Sequence, residues 1–262
     1  GLFKKNKITR LEGYARLDGP GQVLVDGDQT TVLAADHIIL ATGGNYSQLR
    51  GIEVDHKFIT MSNDALSYAD VPRHLIVIGA GYVGLELGSV WSRLGSKVTV
   101  LEYLERILPG MDSELARAAH DIFKRQGIEF RLGSQVMGAH VENDEVVVEM
   151  KRAEPVTGDR VLMAVGRVPF TDRLGLETVW IELDERGRIQ VNEHFETNAH
   201  GVYAIGDVIR GPMLAHKAME EGVAVVEWIA TGHCHVSYDC IPAVVYTDPE
   251  IASVGKTEDE LR

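Results

Sequence analysis

Residues Leu75–Glu102 read LIVIGAGYVGLELGSVWSRLGSKVTVLE, and this stretch decides the fold. Leu75 to Ile78 is a short apolar run rich in β-branched residues, the pattern of a parallel strand buried on both faces. Gly79, Gly81 and Gly84 follow as G-x-G-x-x-G. The first glycine permits a tight turn, the second lets backbone approach a pyrophosphate, and the third lets the next helix close on the strand. That helix is predicted from Val83, Leu87, Val90, Trp91 and Leu94 at helical spacing, with Gly95 ending it. Its N-terminus offers N–H groups and positive dipole charge to an anion. A second strand, Lys97 to Leu101, delivers Glu102, 18 positions beyond Gly84. A carboxylate there accepts both hydroxyls of an adenosine ribose and repels a 2′-phosphate, so the spacing predicts NAD in preference to NADP.

Composition narrows the classes. The 262 residues allow two domains, 45% are hydrophobic, and 27 glycines suit an α/β protein with many tight turns. With 26 Lys and Arg against 39 Asp and Glu the net charge is −13, which argues against nucleic acid or an anionic membrane as main partner. No run approaches the roughly 18 apolar residues of a membrane-spanning helix. The opening GLFKKNKITR has basic residues but no apolar run behind them, so no signal peptide is expected. Cys234 and Cys240 fit no redox or zinc spacing, and His233 and His235 do not complete one. Free thiols in a reducing compartment and no metal site are expected. The chain opens without Met in a strand-rich stretch and stops inside a predicted helix, so it reads as an internal segment.

The first 45 residues show short alternating strands and turns at Asp18–Gly21 and Asp26–Asp28, typical of an antiparallel meander, and end in a buried strand running into Thr42-Gly43-Gly44. Residues 46–72 lack periodicity and read as a linker. Residues 73–171 form the dinucleotide domain. Its second helix is capped by Asp112, carries Leu115, Ala119, Ile122 and Phe123 on one face, and is followed by strands at 128–132, 145–150 and 160–165. Residues 172–240 return to the first lobe, with a helix from about Met213 to Ala230 whose inner face is Ala218, Gly222, Val225, Val226 and Ile229. Residues 241–262 begin a further domain with a strand at 241–246 and a helix in TEDELR.

A second chemical signal is Tyr203-Ala-Ile-Gly-Asp207 followed by Met213-Leu-Ala-His216. A strand ending in Gly-Asp sets a carboxylate at the sheet's carboxyl edge, where open α/β sheets bind ligands and where Asp207 can accept a polyol hydroxyl. From the residues alone, Asp207 as a mere turn cap is an equal reading.

The segments VYAIGDV, GPMLAHKA, ATGG, AVGRVPFT, VVYTDPEIASVGKTEDELR and the long glycine unit together resemble the pyridine-nucleotide:disulfide oxidoreductase family, and within it the dihydrolipoamide dehydrogenases. The similarity runs in order along nearly the whole chain. The resemblance implies a Rossmann-like NAD-binding domain of three-layer ββα type, inserted in part of an FAD-binding lobe and followed by the start of an α+β dimerisation domain. It assigns Gly79, Ala80, Gly81, Tyr82, Val83, Gly84, Leu85, Glu86, Glu102, Val136 and Gly166 to NAD. It assigns Ala15, Thr42, Gly43, Gly44, Asp207, Met213, Leu214, Ala215 and His216 to FAD. Ala15 stands where the family has a glycine near the adenine, and Met219 replaces a common acidic residue. His216 belongs to the flavin loop and is not a general base.

Glu86 has a family role near the flavin–nicotinamide contact, although a Glu on a helix's first turn suits the dipole without any other role. Tyr82 either closes over the flavin or is a semi-buried aromatic. The implied parent is an enzyme that oxidises dihydrolipoamide through a protein disulfide and FAD, and reduces NAD+. The implied partners are the lipoyl domain of a 2-oxo acid dehydrogenase or glycine cleavage complex and a second copy of the chain, in the cytoplasm or mitochondrial matrix. The family's first FAD glycine motif, its C-x4-C disulfide and its His/Glu pair are not among residues 1–262. No catalytic residue is therefore assigned, Glu86 having only a place beside the flavin–nicotinamide contact, and no dihydrolipoamide oxidation is expected from these residues alone. The alternatives are an NADPH-dependent relative such as mercuric or glutathione reductase, disfavoured by Glu102, or a non-catalytic NAD-binding module.

Overall fold

A computed structural model describes residues 1–262 throughout. The chain divides into two units, one of Gly1–Asn45 and Val168–Tyr238, the other of Tyr46–Arg167 and Asp239–Arg262. The longer segment of the second, Tyr46–Arg167, is inserted in the sequence of the first, and its shorter segment follows Tyr238. In chain order, the single-turn helix α1 (Leu2–Lys5) precedes strands β1 (Tyr14–Leu17), β2 (Gln22–Asp26), β3 (Thr30–Ala34) and β4 (Ile38–Leu40). Strand β5 (Gly44–Tyr46) leads into β6 (Ile59–Thr60), α2 (Ser62–Ala65), β7 (His74–Ile78), α3 (Tyr82–Arg93), β8 (Lys97–Leu101), α4 (Ser113–Arg125) and β9 (Glu129–Arg131). Next come β10 (Val136–Glu142), β11 (Glu145–Met150), β12 (Ala153–Gly158) and β13 (Arg160–Met163). The short β14 (Arg167–Pro169) precedes β15 (Val202–Ala204) and α5 (Ala215–Thr231), and the chain closes with β16 (Ala243–Val245), β17 (Ile251–Ser253) and α6 (Glu258–Leu261).

In the inserted unit a five-stranded parallel sheet has the order β6-β13-β7-β8-β9. From β7 the chain builds outward through β8 and β9 on one side, and β13 joins on the other. The order therefore reverses between β7 and β13, and the crevice at the carboxyl ends of those strands is the ligand-binding position of an open α/β sheet. Strand β7 explains its own apolar run. Leu75 and Val77 face a core shared with Leu85, Trp91 and Phe123, whereas Ile76 and Ile78 face one shared with Val146, Val148 and Val156 of the antiparallel sheet β10-β11-β12. Helices cover one face and a three-stranded sheet the other, which is the expected three-layer ββα arrangement.

Four sequence expectations change. The inner face of α3 is Gly84, Leu85, Gly88, Ser89 and Trp91, while Val83, Val90 and Leu94 are exposed. Small residues face the sheet because the helix backbone lies close to β7 and β8. Residues 46–72 are more than a linker: β6 pairs with β13, and Ile52, Ile59, Met61 and Ala65 are buried. A two-residue strand and a one-turn helix are too short to show a period. The hairpin β16–β17 buries Val245 and Ile251 in the same core as α3 and α4, so residues 239–262 pack within the inserted unit. The inner face of α5 carries Lys217, Glu221, Ala224 and Val225, and Val226 is exposed.

In the other unit, β1-β2-β3 form the expected meander and β4 pairs in parallel with β15. Leu17, Ile38, Leu40, Val202, Ala204, Ile205 and Val225 share its core.

Candidate functional site

The glycine turn in the inserted unit uses each glycine differently. Gly79 has φ of +106°, and a side chain there would fall on the carbonyl oxygen of Ala164. A Cβ on Gly84 would fall on the carbonyl oxygen of Gly79 and meet Val77 Cγ1 at 3.2 Å and Ala164 Cβ at 3.3 Å. Gly81 differs: a Cβ there meets nothing within 4 Å. It is the N-cap of the 12-residue α3, whose first-turn N–H groups have no intrahelical partners. Two glycines are thus required by packing, and the third leaves space at a helix N-terminus, the arrangement that suits a phosphate.

Glu102 lies at the end of β8 and ties this turn together. Its carboxylate accepts the Ala80 N–H at 2.7 Å on one oxygen and the Leu104 N–H at 2.8 Å on the other. Ala80 also accepts the Leu108 N–H at 3.0 Å and is fully buried. Leu85 is in the core and Val83 is exposed. Tyr82 is half-buried, and burial pushes its phenol pKa up, so it stays a neutral hydroxyl. Gly166 follows β13 with φ of +111°, and its carbonyl accepts the Ser47 N–H at 3.0 Å. Val136 opens β10, opposite Met150.

Glu86 is the fifth residue of α3, so it lies beyond the first turn and outside the reach of the helix dipole's positive end. Its carboxylate accepts the Tyr246 N–H at 2.8 Å instead.

In the other unit, the parallel register of β4 and β15 brings Thr42, Gly43 and Gly44 to the same carboxyl edge as Gly206 and Asp207. The Ile205 N–H donates to the Leu40 carbonyl at 3.0 Å, and the Thr42 hydroxyl donates to the Phe170 carbonyl at 2.7 Å. A Cβ on Gly43 would meet nothing within 4 Å. Asp207 is half-buried in a 3-10 turn. Met213 and Leu214 immediately precede α5, and Ala215 and His216 lie in its first turn, where backbone donors point outward. Ala15 is exposed on β1 opposite Val25.

Sequence reasoning missed Lys217 and Glu221. Both are fully buried and paired at 2.9 Å, and both bond the backbone of Gly206. The available signal was a Lys and a Glu four positions apart on the same face of a largely apolar helix. The two cysteines are free thiols. Cys234 has a raised pKa through burial and the nearby Glu227 and Glu193 carboxylates, the opposite of an activated thiolate.

The model of the family described as pyridine nucleotide-disulphide oxidoreductase matches residues 2–222. The chain belongs to this family. Among its relatives in the pyridine nucleotide-disulphide oxidoreductases are "Dihydrolipoyl dehydrogenase, mitochondrial" of Pisum sativum and "Dihydrolipoyl dehydrogenase 3" of Pseudomonas putida. Each is 48% identical over the whole chain, which covers 54% and 57% of their lengths. The "Leghemoglobin reductase" of Glycine max is 47% identical, with 51% of its length covered. The chain therefore spans about half the length of the curated relatives it matches. Among solved structures, the HOCl-induced flavoprotein disulfide reductase RclA from Escherichia coli superposes with a TM-score of 0.88 at 27% identity, covering 96% of this chain and 58% of that one. LpdA from Mycobacterium tuberculosis gives 0.86 at 28%, covering 94% and 56%.

Proposed function

We propose that residues 1–262 carry the NAD site and part of the FAD site of an enzyme that oxidises dihydrolipoamide and reduces NAD+. The relatives named dihydrolipoyl dehydrogenase support this reading. They include mitochondrial and bacterial proteins, and the reading extends to a cytoplasmic or matrix enzyme. Its dihydrolipoamide would be borne on the lipoyl domain of a 2-oxo acid dehydrogenase or glycine cleavage complex, and the enzyme would act as a homodimer. No helix is long and apolar enough to cross a membrane.

The observation that carries the proposal is the open Gly81 turn beside a carboxylate held by two backbone N–H groups. When bound, FAD and NAD supply the electron and hydride chemistry. The protein's part is to hold and orient. Gly79, Gly81 and Gly84 shape the turn, and the backbone from Ala80 to Leu85 and the start of α3 receive the pyrophosphate. Glu102 takes the ribose hydroxyls, and its negative charge excludes a 2′-phosphate. Val136 and Gly166 line the same groove, and Tyr82 and Glu86 stand toward its nicotinamide end. Asp207 accepts a flavin polyol hydroxyl, while Thr42, Gly43, Gly44 and Met213–His216 supply backbone donors. Ala15 faces the adenine.

Calorimetric titration with NAD and NADP tests this. A hydrogen bond to a charged group contributes about 1.5–3 kcal/mol, so Glu102→Ala is expected to weaken NAD binding about ten- to a hundredfold. The parent is expected to prefer NAD to NADP. Equal NAD affinity in parent and variant, or tighter binding of NADP, would overturn the assignment.

A further inference from the structure

We propose that Lys217, Glu221 and Tyr238 are positioning residues for the Gly206–Asp207 turn, fixing the carboxylate of Asp207 for a flavin polyol. The flavin part rests on the function proposed above for Asp207, and the clamp on the turn does not.

Lys217 and Glu221 lie one turn apart on α5, each with no exposed side-chain surface. The Lys217 ammonium donates to the Gly206 carbonyl at 3.0 Å. One Glu221 oxygen accepts the Gly206 N–H at 2.7 Å, and the other accepts the Tyr238 hydroxyl at 2.9 Å as well as facing Lys217 at 2.9 Å. Both polar groups of a single residue are thus held by opposite full charges. Gly206 has φ of +76°, where an L side chain is strained, and a Cβ there would meet Ala218 Cβ at 3.3 Å. The Lys217 stem runs close past Gly211, where an added Cβ would lie 3.1 Å from Lys217 Cε.

Stability alone does not call for such a pair. Desolvating two charges is costly, and apolar residues of similar volume often serve as well or better. What the charges add is direction. The cation takes the carbonyl and the anion takes the N–H, so the Gly206 backbone is held from both sides and Asp207, one residue on, starts from a fixed point. Tyr238 orients the remaining carboxylate oxygen. Burial and the adjoining Glu221 push the Tyr238 pKa up, so its hydroxyl remains a proton donor.

The test uses the isotope-labelled chain and two readouts: amide hydrogen exchange at Gly206, and a titration with FAD to millimolar concentration followed at the Asp207 amide. Tyr238→Phe removes one spoke from a half-exposed residue and is the variant expected to fold without difficulty. Lys217→Met is combined with either Glu221→Leu or Glu221→Gln, the Gln restoring an acceptor for the Gly206 N–H. Gly206 exchange is expected to quicken severalfold in Tyr238→Phe and about tenfold or more in the Met/Leu pair, with Gln partly restoring protection. Amides of β7 and β8 are expected to keep parental rates. FAD affinity is expected to fall in the same order, and to fall further in Asp207→Ala.

Parental Gly206 exchange in Tyr238→Phe, or equal rates for the Leu and Gln pairs, would overturn the clamp. Faster exchange with unchanged FAD affinity, where Asp207→Ala weakens it, would overturn its link to the flavin. An Asp207→Ala variant that binds FAD like the parent, or a parent with no response at Asp207, would instead refute the flavin role of Asp207. In that case the Gly206 exchange rates alone decide whether the clamp exists.

Discussion

The three glycines of the turn separate two demands that a sequence motif merges. Gly84 is held by close packing against Gly79 and β7, whereas Gly81 borders open space and has an ordinary φ of −83°. Gly84→Ala is therefore expected to lower stability by about 1–3 kcal/mol through overpacking. Gly81→Ala is expected to cost less than about 1 kcal/mol, the loss of a tolerated N-cap, while weakening NAD binding. Urea denaturation paired with NAD calorimetry distinguishes them. If Gly81→Ala binds NAD like the parent, the open turn is not the phosphate site. Glu102 shows the same layering at one residue: its place after β8 was legible in the sequence. Its bonds to Ala80 and Leu104 were not, because they depend on loops whose path no local pattern encodes.

At the scale of elements, strands read better than helix faces. The runs 97–101 and 145–150 are the strands themselves: the first is nearly continuous apolar sequence buried on both faces, and the second alternates between buried and more exposed residues, as a strand with one covered face does. Asp112 caps α4 as expected, accepting the Glu114 N–H at 2.9 Å. Strand β12 escaped notice because its sequence, AEPVTG, is polar and carries a proline, tolerable on the edge of a sheet. The inner face of α3 departs from the spacing of its apolar residues because close approach to the sheet selects Gly84, Gly88 and Ser89 there, beside Leu85 and Trp91.

The parallel sheet also holds a polar thread with a pH signature. His74 of β7 hydrogen-bonds Thr99 of β8 at 2.9 Å, and Thr99 donates to Glu129 of β9 at 3.3 Å. Burial, then the Lys97 charge, lower the His74 pKa below its usual 6.5. The unfolded chain thus binds more protons near pH 6, so His74 favours the fold above pH 6.5 and that contribution is lost as pH falls through 6.5 toward the folded value. Thermal melts from pH 8 to 5 are expected to show a smaller acid-induced fall in Tm for His74→Gln than for the parent. Matching pH dependence in the two would refute this.

Across the whole molecule, residues 1–262 carry two cysteines, both free thiols. Cys240 is exposed, and Cys234 lies half-buried with its Sγ 3.8 Å from His194 Nδ1 and its pKa raised. Exchange needs an attacking thiolate within reach of a partner sulfur. The chain alone, supplied with FAD, NAD+ and dihydrolipoamide, is expected to form no NADH above background. Turnover abolished by Cys234→Ser or Cys240→Ser would show that these cysteines act.

The sequence by itself determined the strand–turn–helix–strand core from Leu75 to Leu101 and the acid that follows it, because each rests on short-range periodicity, turn chemistry and fixed spacing. It also determined the Gly-Asp turn and the Gly43–Gly44 pair where β5 begins. Only the tertiary structure decided that β4 and β15, more than 160 residues apart, bring Thr42 and Asp207 to one edge. Only it decided that Lys217 and Glu221 are buried. A charged side chain goes inside only when its partners are waiting there, and those partners, Gly206 and Tyr238, lie in other parts of the chain.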